Sequence, residues 1–133
     1  MVRVKADDYC FACGPRNPHG LHLADFAFDG ERYTFPWTPE PYHQGWQGLV
    51  HGGLIATVLD EAMTRLVWAM GLEAVTGEVT VRFRRPLPVG THVQIEAWLV
   101  EQRRGVIRAE ATMKDGEVEY AHARGTLMRV DGE

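Results

Sequence analysis

The sequence lacks the features that would direct it to a membrane or to nucleic acid. No stretch approaches the roughly 18 consecutive apolar residues of a membrane-spanning helix. The N-terminal residues lack the apolar core of a secretory signal peptide. Positive charge is not in excess, because 14 Lys and Arg stand against 18 Asp and Glu, giving a net charge of -4. We therefore expect a soluble cytoplasmic protein that binds neither membranes nor nucleic acid.

Cysteine is also scarce. Cys10 and Cys13 are the only two cysteines, and no second pair completes a four-cysteine zinc site. His19 and His22 would add two ligands, but the resulting spacing fits no standard zinc finger. The run that follows, residues 14–20, is rich in turn formers, whereas a thioredoxin-like motif would open a helix. We interpret residues 1–20 as a structural loop and expect no metal ion, with a zinc or redox module as the alternative.

In other respects the composition is that of an ordinary folded domain. The chain has 133 residues, of which 45% are hydrophobic and 24% charged. A chain of this length buries about two thirds of its surface on folding, which is enough for a core without disulfides. No internal repeat or linker interrupts it. We predict a single domain spanning residues 1–133.

The hydrophobic pattern predicts one helix among several strands. Two short strands, residues 21–28 and 32–37, are joined by an Asp-Gly turn, and residues 38–50 are typical of a loop. Apolar residues at helical spacing predict a helix over residues 53–70. Alternating residues then predict antiparallel strands over residues 79–84, 93–99, 107–113 and 118–128. The order predicts an α+β fold in which one long apolar helix packs on a curved sheet.

The start of the helix carries a pair of glycines, Gly52 and Gly53. Backbone N–H groups in the first turn of a helix have no partner within the helix, and glycine leaves them open to a carbonyl oxygen or an anion. The helix dipole favours negative charge at the same place, so an oxyanion site can be built here from backbone alone. The alternative interpretation is that the glycines are merely permissive.

Two carboxylates follow on the same helix, and their neighbours distinguish them. Glu61 has Arg65 four residues on, which is a favourable spacing for an exposed ion pair. Asp60 has no basic residue three or four positions away, and it borders the apolar face beside Met63 and Val67. An unpaired carboxylate against apolar surface costs stability unless it is needed. We predict that Asp60 is functional and that Glu61 is a solvated bystander.

These motifs together resemble a known family. The helix-start motif His51-Gly52-Gly53, followed by Leu59-Asp60, resembles the hotdog-fold acyl-CoA thioesterases of the PaaI-like group, in the 4-hydroxybenzoyl-CoA thioesterase superfamily. The resemblance extends to three further motifs: Cys10-Phe11-Ala12-Cys13-Gly14, Asn17-Pro18 with Gly20-Leu21, and Val81-Arg82-Phe83-Arg84-Arg85-Pro86 with Val89-Gly90. The match covers nearly the whole chain in the right order.

The resemblance implies a fold, an assembly and a catalytic machinery. A long antiparallel sheet would wrap around the central helix, and two protomers would pair to extend the sheet, with a tetramer expected from such dimers. The active sites would lie at the dimer interface. There the Gly52 N–H polarises the thioester carbonyl, and Asp60 from the other protomer acts as general base or nucleophile. Thr76, expected ahead of the strand, would orient the acid or the water.

The resemblance also suggests residues that bind the substrate. His51 would support the loop, and Gly53 lies beside the carbonyl site. Gln44 or Gln47 stands nearest to an amide that contacts the thioester in many relatives. Trp46 is a candidate for the acyl pocket. The cationic cluster Arg82, Arg84 and Arg85 is a candidate to bind the phosphates of coenzyme A, or is otherwise a solvated strand face.

The expected activity is therefore hydrolysis of an acyl-CoA thioester to the free acid and CoA. No separate cofactor is expected, because CoA belongs to the substrate. Two alternatives stay open. One is an acyl-thioester hydratase or dehydratase on the same fold, and the other is a non-catalytic domain that binds acyl-CoA.

Overall fold

A computed structural model describes residues 4–131 of the chain. In chain order its elements are β1 (Ala27–Phe28), β2 (Arg32–Trp37), a 3-10 turn (Pro41–His43), α1 (Gly52–Ala69), β3 (Ala74–Phe83), β4 (Val93–Arg103), β5 (Val106–Asp115) and β6 (Val118–Arg129). The six strands form one antiparallel sheet in the order β1-β2-β4-β5-β6-β3. This arrangement confirms the predicted α+β class.

The helix α1 packs against one face of the sheet and contacts strands β2 to β6. Its buried face consists of Ile55, Val58, Leu59, Ala62, Met63, Leu66 and Val67. The sheet offers this face small residues, since Ala109, Ala111, Ala121 and Ala123 are all buried. At Gly125 a Cβ atom would lie 2.8 Å from the Met63 sulfur. A side chain at residue 125 would therefore require the end of Met63 to move, which shows how closely the helix packs on β6.

The first predicted strand is shorter than its pattern indicated. Only Ala27–Phe28 pairs with β2, whereas residues 21–26 are not part of the sheet. Leu21 and Leu23 are nevertheless buried, and their N–H groups donate to the carbonyls of Phe11 and Ala12 at 2.9 and 3.0 Å. Their alternation thus reflects packing of this segment against the N-terminal loop.

Strand β3 is longer than predicted, beginning at Ala74 rather than near Val79. A register shift between Thr76 and Glu78 marks a bulge at Gly77. The extra residue breaks the alternation of side chains, and for that reason the pattern did not reveal the first half of the strand. Thr76 accordingly lies within β3, and the expectation that it precedes the strand was wrong.

The sheet has β3 at one edge, where a ten-residue strand pairs only with β6 within the described part of the chain. Its neighbourhood exposes large apolar side chains, among them Val75, Phe83 and, on the helix, Trp68. A long apolar edge strand is a template for pairing with another strand.

Among residues 4–131, no helix has the length and apolar content needed to cross a membrane.

Candidate active site

The N-terminus of α1 is held by the loop before it. His51 is the residue that caps the helix, and its Nδ1 accepts a hydrogen bond from the Gly53 N–H at 2.9 Å. The His51 N–H donates to the His43 carbonyl, also at 2.9 Å. A Cβ atom at residue 53 would lie 3.1 Å from His51 Nδ1, so Gly53 makes room for the capping ring. His51 and Gly53 thus have a local structural role in the arrangement of the helix start.

Gly52 has a different environment. Its N–H has no hydrogen-bond acceptor among the residues that the structure describes. A Cβ atom there would meet only the Phe83 ring, at 3.5 Å. A first-turn N–H that is open at the positive end of an 18-residue helix is suited to hold a carbonyl oxygen that gains negative charge.

Gly52 borders a cavity of about 440 Å³ between the helix start and the end of β3. The cavity brings together several of the residues predicted to bind substrate. Its lining comprises Trp46, Leu49, Val50, Gly52, Ile55, Phe83, Arg84, Arg85, Pro86 and Leu87. Trp46 is 83% exposed at this cavity, which indicates that it does not serve as core filling. Apolar walls with two arginines at the rim suit an apolar group joined to an anionic one.

The three arginines differ in their contacts. Arg84 pairs with Glu119, with 2.9 Å between Nε and Oε2, and it lines both the Gly52 cavity and a neighbouring one of about 600 Å³. Arg82 lines only the second cavity, and Arg85 only the first. Arg85 is therefore the best placed of the three to reach a ligand at Gly52.

The two glutamines do not line the Gly52 cavity. The Gln44 side chain accepts a hydrogen bond from the Gly48 N–H at 2.9 Å, and this contact shapes the loop. Gln47 is exposed on the same loop. Within one copy of the chain, neither amide is brought to the helix start.

Asp60 and Thr76 are brought together by the helix and the edge strand. The Thr76 hydroxyl donates to Asp60 Oδ1 at 2.7 Å, and Thr64 Oγ1 lies 3.5 Å from Thr76 Oγ1. Asp60 is partly buried, and with Thr76 it lines a cavity of about 650 Å³. Trp68 lines the same cavity. One carboxylate oxygen is thereby oriented by a hydroxyl, and the carboxylate borders a space large enough for an organic group.

Gly52 and Asp60 are too far apart to act on one bond within a single chain. Asp60 follows Gly52 by eight residues on the same helix, which corresponds to about 12 Å along the axis. Each chain therefore carries two candidate half-sites, one at the start of α1 and one near its middle.

A family model described as the thioesterase superfamily matches residues 47–121 of this chain. This segment is more than half of the chain and contains Gly52, Asp60 and Thr76. The chain belongs to the thioesterase superfamily.

Individual relatives agree with the family. The Bos taurus protein named acyl-coenzyme A thioesterase THEM4 is 32% identical over 95 residues, which are 70% of this chain and 39% of that protein. This thioesterase-superfamily chain thus spans about two fifths of the length of the curated relatives it matches first.

Solved structures of similar shape establish the fold. The E. coli PaaI protein from the phenylacetic acid degradation operon has a TM-score of 0.74 at 20% identity, with 80% of this chain and 81% of that chain covered. The Streptococcus mutans protein smu.793 was solved with acetyl-CoA bound. It has a TM-score of 0.75 at 20% identity, and the match covers 80% of this chain and 90% of the smu.793 chain. The predicted hotdog fold is confirmed.

Glu61 is not the solvated bystander that its sequence neighbours suggested. It does pair with Arg65, with 3.7 Å between Oε2 and Nη1, but its side chain is only 12% exposed. Its carboxylate lies beside the sulfur atoms of Cys10 and Cys13. Burial, reinforced by Glu61 and Cys10, raises the pKa of the Cys13 thiol to about 12. In this thioesterase-superfamily chain, the N-terminal loop therefore packs directly against the helix that carries Asp60, a contact that no local spacing could have revealed.

Proposed function

We propose that this protein hydrolyses an acyl-CoA thioester to the free acid and coenzyme A, in sites shared between two copies of the chain. The observation that carries the proposal is the Asp60 carboxylate, oriented by the Thr76 hydroxyl at 2.7 Å and bordering a cavity. Membership of the thioesterase superfamily and the name of the Bos taurus relative support the reaction class. The acetyl-CoA bound to the Streptococcus mutans protein supports the CoA moiety.

The chemistry follows from the two half-sites. Attack on a thioester places negative charge on the carbonyl oxygen, and the Gly52 N–H at the helix N-terminus stabilises that charge. Asp60 either takes the proton from an attacking water or attacks the carbonyl carbon itself. In both routes the tetrahedral intermediate collapses by breaking the carbon–sulfur bond, and coenzyme A leaves as the thiol or thiolate. Attack by water gives the free acid directly, whereas attack by Asp60 leaves the acyl group on the carboxylate as a mixed anhydride, which a water molecule then hydrolyses to the free acid and the original Asp60. No cofactor is needed, since CoA is part of the substrate.

Pairing of two edge strands would join the half-sites. Thr76 lies near the start of β3 and Phe83 at its end, where the Phe83 ring borders Gly52. Two copies of β3 that pair antiparallel about a two-fold axis put the start of one strand beside the end of the other. Gly52 of one subunit would then face Asp60 of the partner subunit. The exposed apolar side chains along this edge support such pairing.

The remaining candidates have subordinate roles in this proposal. The Gly52 cavity receives the thioester and the start of the CoA chain, with Trp46 as an apolar wall. Arg85, assisted by Arg84, meets the CoA phosphates at the rim. The cavity beside Asp60 and Trp68 receives the acyl group.

The test is thiol release from phenylacetyl-, benzoyl-, hexanoyl- and palmitoyl-CoA. We expect turnover of at least one thioester and a loss of roughly 10²-fold or more in Asp60→Asn. The matched control is Asp115→Asn, which makes the same chemical change at an exposed Asp-Gly turn and leaves an equally favourable Asn-Gly turn. This control should stay within about twofold of wild type.

Two outcomes would overturn parts of the proposal. Tight binding of a thioester without any turnover would make the protein a non-catalytic acyl-CoA-binding domain. Full activity in Asp60→Asn would remove the assigned base, even if the thioesterase activity stands.

A further inference from the structure

The N-terminal loop and helix α1 bring three metal-binding groups together. The sulfur atoms of Cys10 and Cys13 and a carboxylate oxygen of Glu61 all lie within 4.8 Å of one another. All three residues are partly buried, and they border the same cavity as Asp60. The third group comes from the helix, far along the chain from the two cysteines. The spacing of residues in the sequence therefore did not indicate it.

The loop is built so that both sulfur atoms lie on the same side. The Gly14 N–H donates to the Cys10 carbonyl at 2.8 Å and closes a tight turn around residues 10–14. A Cβ atom at Gly14 would collide with the Cys10 backbone nitrogen, so this turn requires glycine. The loop is tied to the next segment by the hydrogen bonds from Leu21 and Leu23 to Phe11 and Ala12.

The donor set matches one kind of metal ion. Thiolate sulfur together with a carboxylate oxygen is a ligand combination of Zn²⁺. Bond lengths of about 2.0–2.3 Å put the ligand atoms of a tetrahedral site roughly 3.3–3.8 Å apart. Groups within 4.8 Å of one another therefore reach that geometry by small side-chain adjustments. Mg²⁺ and Ca²⁺ prefer oxygen ligands and fit this set poorly.

Arg65 supplies the charge that balances such a site. Its Nη1 donates to Cys13 Sγ at 3.2 Å and lies 3.7 Å from Glu61 Oε2. The guanidinium is held in place by the Tyr33 hydroxyl, which accepts from Nε at 2.8 Å, and by the Phe26 ring 3.8 Å below it. Two thiolates and one carboxylate carry three negative charges, and a divalent metal ion with one guanidinium carries three positive charges. The cluster is thus neutral with the metal bound, and it is also neutral without the metal when both thiols are protonated and Glu61 pairs with Arg65.

We propose that Cys10, Cys13 and Glu61 bind a zinc ion, whose fourth position is taken by water from the adjoining cavity. Binding displaces the thiol protons and joins the N-terminal loop to α1 one residue from Asp60. Bound there, the ion would fix one wall of the cavity beside Asp60. The proposal concerns metal binding alone and holds whether or not the thioesterase activity is found.

The test is the metal content of the full chain, purified without an affinity tag or chelator. We expect about one zinc ion per chain when the metal content is measured by inductively coupled plasma mass spectrometry. Replacement with Co²⁺ should give sulfur-to-cobalt charge-transfer absorption together with the strong visible bands of a tetrahedral site. Cys10→Ser and Glu61→Gln should each lower the affinity for the metal by roughly tenfold or more. The matched control is Asp60→Asn, which removes the neighbouring carboxylate and should keep both zinc and absorption bands.

Three results would overturn the proposal. The first is wild-type protein that holds both cysteines as free thiols and gives no thiolate-to-cobalt absorption when Co²⁺ is added under reducing conditions. The second is a Cys10–Cys13 disulfide that persists under the same reducing conditions, detected as an intact mass lower by two hydrogens. The third is equal zinc loss in Asp60→Asn and Glu61→Gln. Because the wild-type spectrum alone can contradict the proposal, the test does not depend on whether the variants fold.

Discussion

At the scale of single residues, the contact between Asp60 and Thr76 is central to the candidate site. Helical spacing predicted the ion pair between Glu61 and Arg65, because residues four apart on a helix are neighbours, but it did not reveal that the Glu61 side chain is only 12% exposed. The resemblance to known thioesterases indicated Thr76, and the structure puts its hydroxyl on the carboxylate. The surroundings of Glu61 were not predictable in this way, since Cys10 and Cys13 reach it through the path of a loop.

Thr76→Val should lower kcat by about 10- to 100-fold and change KM little. The reason is that the hydroxyl donates to a charged carboxylate, a bond of about 1.5–3 kcal/mol that the nearly isosteric valine cannot make. Thr76→Ser keeps the hydroxyl and should restore most of the activity. Steady-state thiol release from the best substrate gives kcat and KM for the wild type, Thr76→Val and Thr76→Ser. Equal kcat in Thr76→Val and wild type would rule out a positioning role for the hydroxyl.

At the scale of elements, the loop before α1 determines where the helix begins. His43 is only 6% exposed, and its ring packs against Trp37. Its Nδ1 accepts from the Glu40 N–H at 2.9 Å, while its carbonyl accepts from His51. Burial lowers the pKa of His43 below its ordinary value of 6.5, against the smaller opposing effect of Glu40. The folded loop therefore favours the neutral imidazole.

The free energy of unfolding should consequently fall as the pH drops below about 6.5, because the unfolded chain then binds the proton more readily than the folded one. Urea unfolding at pH 8 and at pH 5.5 measures this loss. His43→Gln provides an amide oxygen that can accept from Glu40 and carries no titrating group, so its stability should change less over the same range. An identical pH dependence in both proteins would contradict the assignment to His43.

At the scale of the whole molecule, the proposed site needs two copies of the chain. Gly52 and Asp60 are about 12 Å apart along one helix, so the proposal requires a dimer through β3. The further assembly of dimers into a tetramer stays a prediction, which the molecular mass in solution would test.

Mixing two inactive variants tests the shared site directly. Gly52→Val places a branched side chain beside the open N–H, where a Cβ already contacts the Phe83 ring at 3.5 Å, and Asp60→Asn removes the base, so each variant alone should be nearly inactive. A dimer with one subunit of each kind has one site in which both groups are native. After equal mixing through a denatured or dissociated state, about a quarter of wild-type activity should return. If activity does not return although mixed dimers form, the two groups do not act across the interface.

The sequence by itself determined those features that depend on near neighbours. Helical spacing located α1, the Asp-Gly turn indicated β2, alternation located β4, β5 and β6, and the glycine pair marked the start of the helix. Only the tertiary structure decided the rest. The bulge at Gly77 hid the beginning of β3, and loop packing placed Cys10 and Cys13 beside Glu61. The physical reason is that periodicity records which side of an element is buried, whereas contacts between distant segments depend on the path of the whole chain.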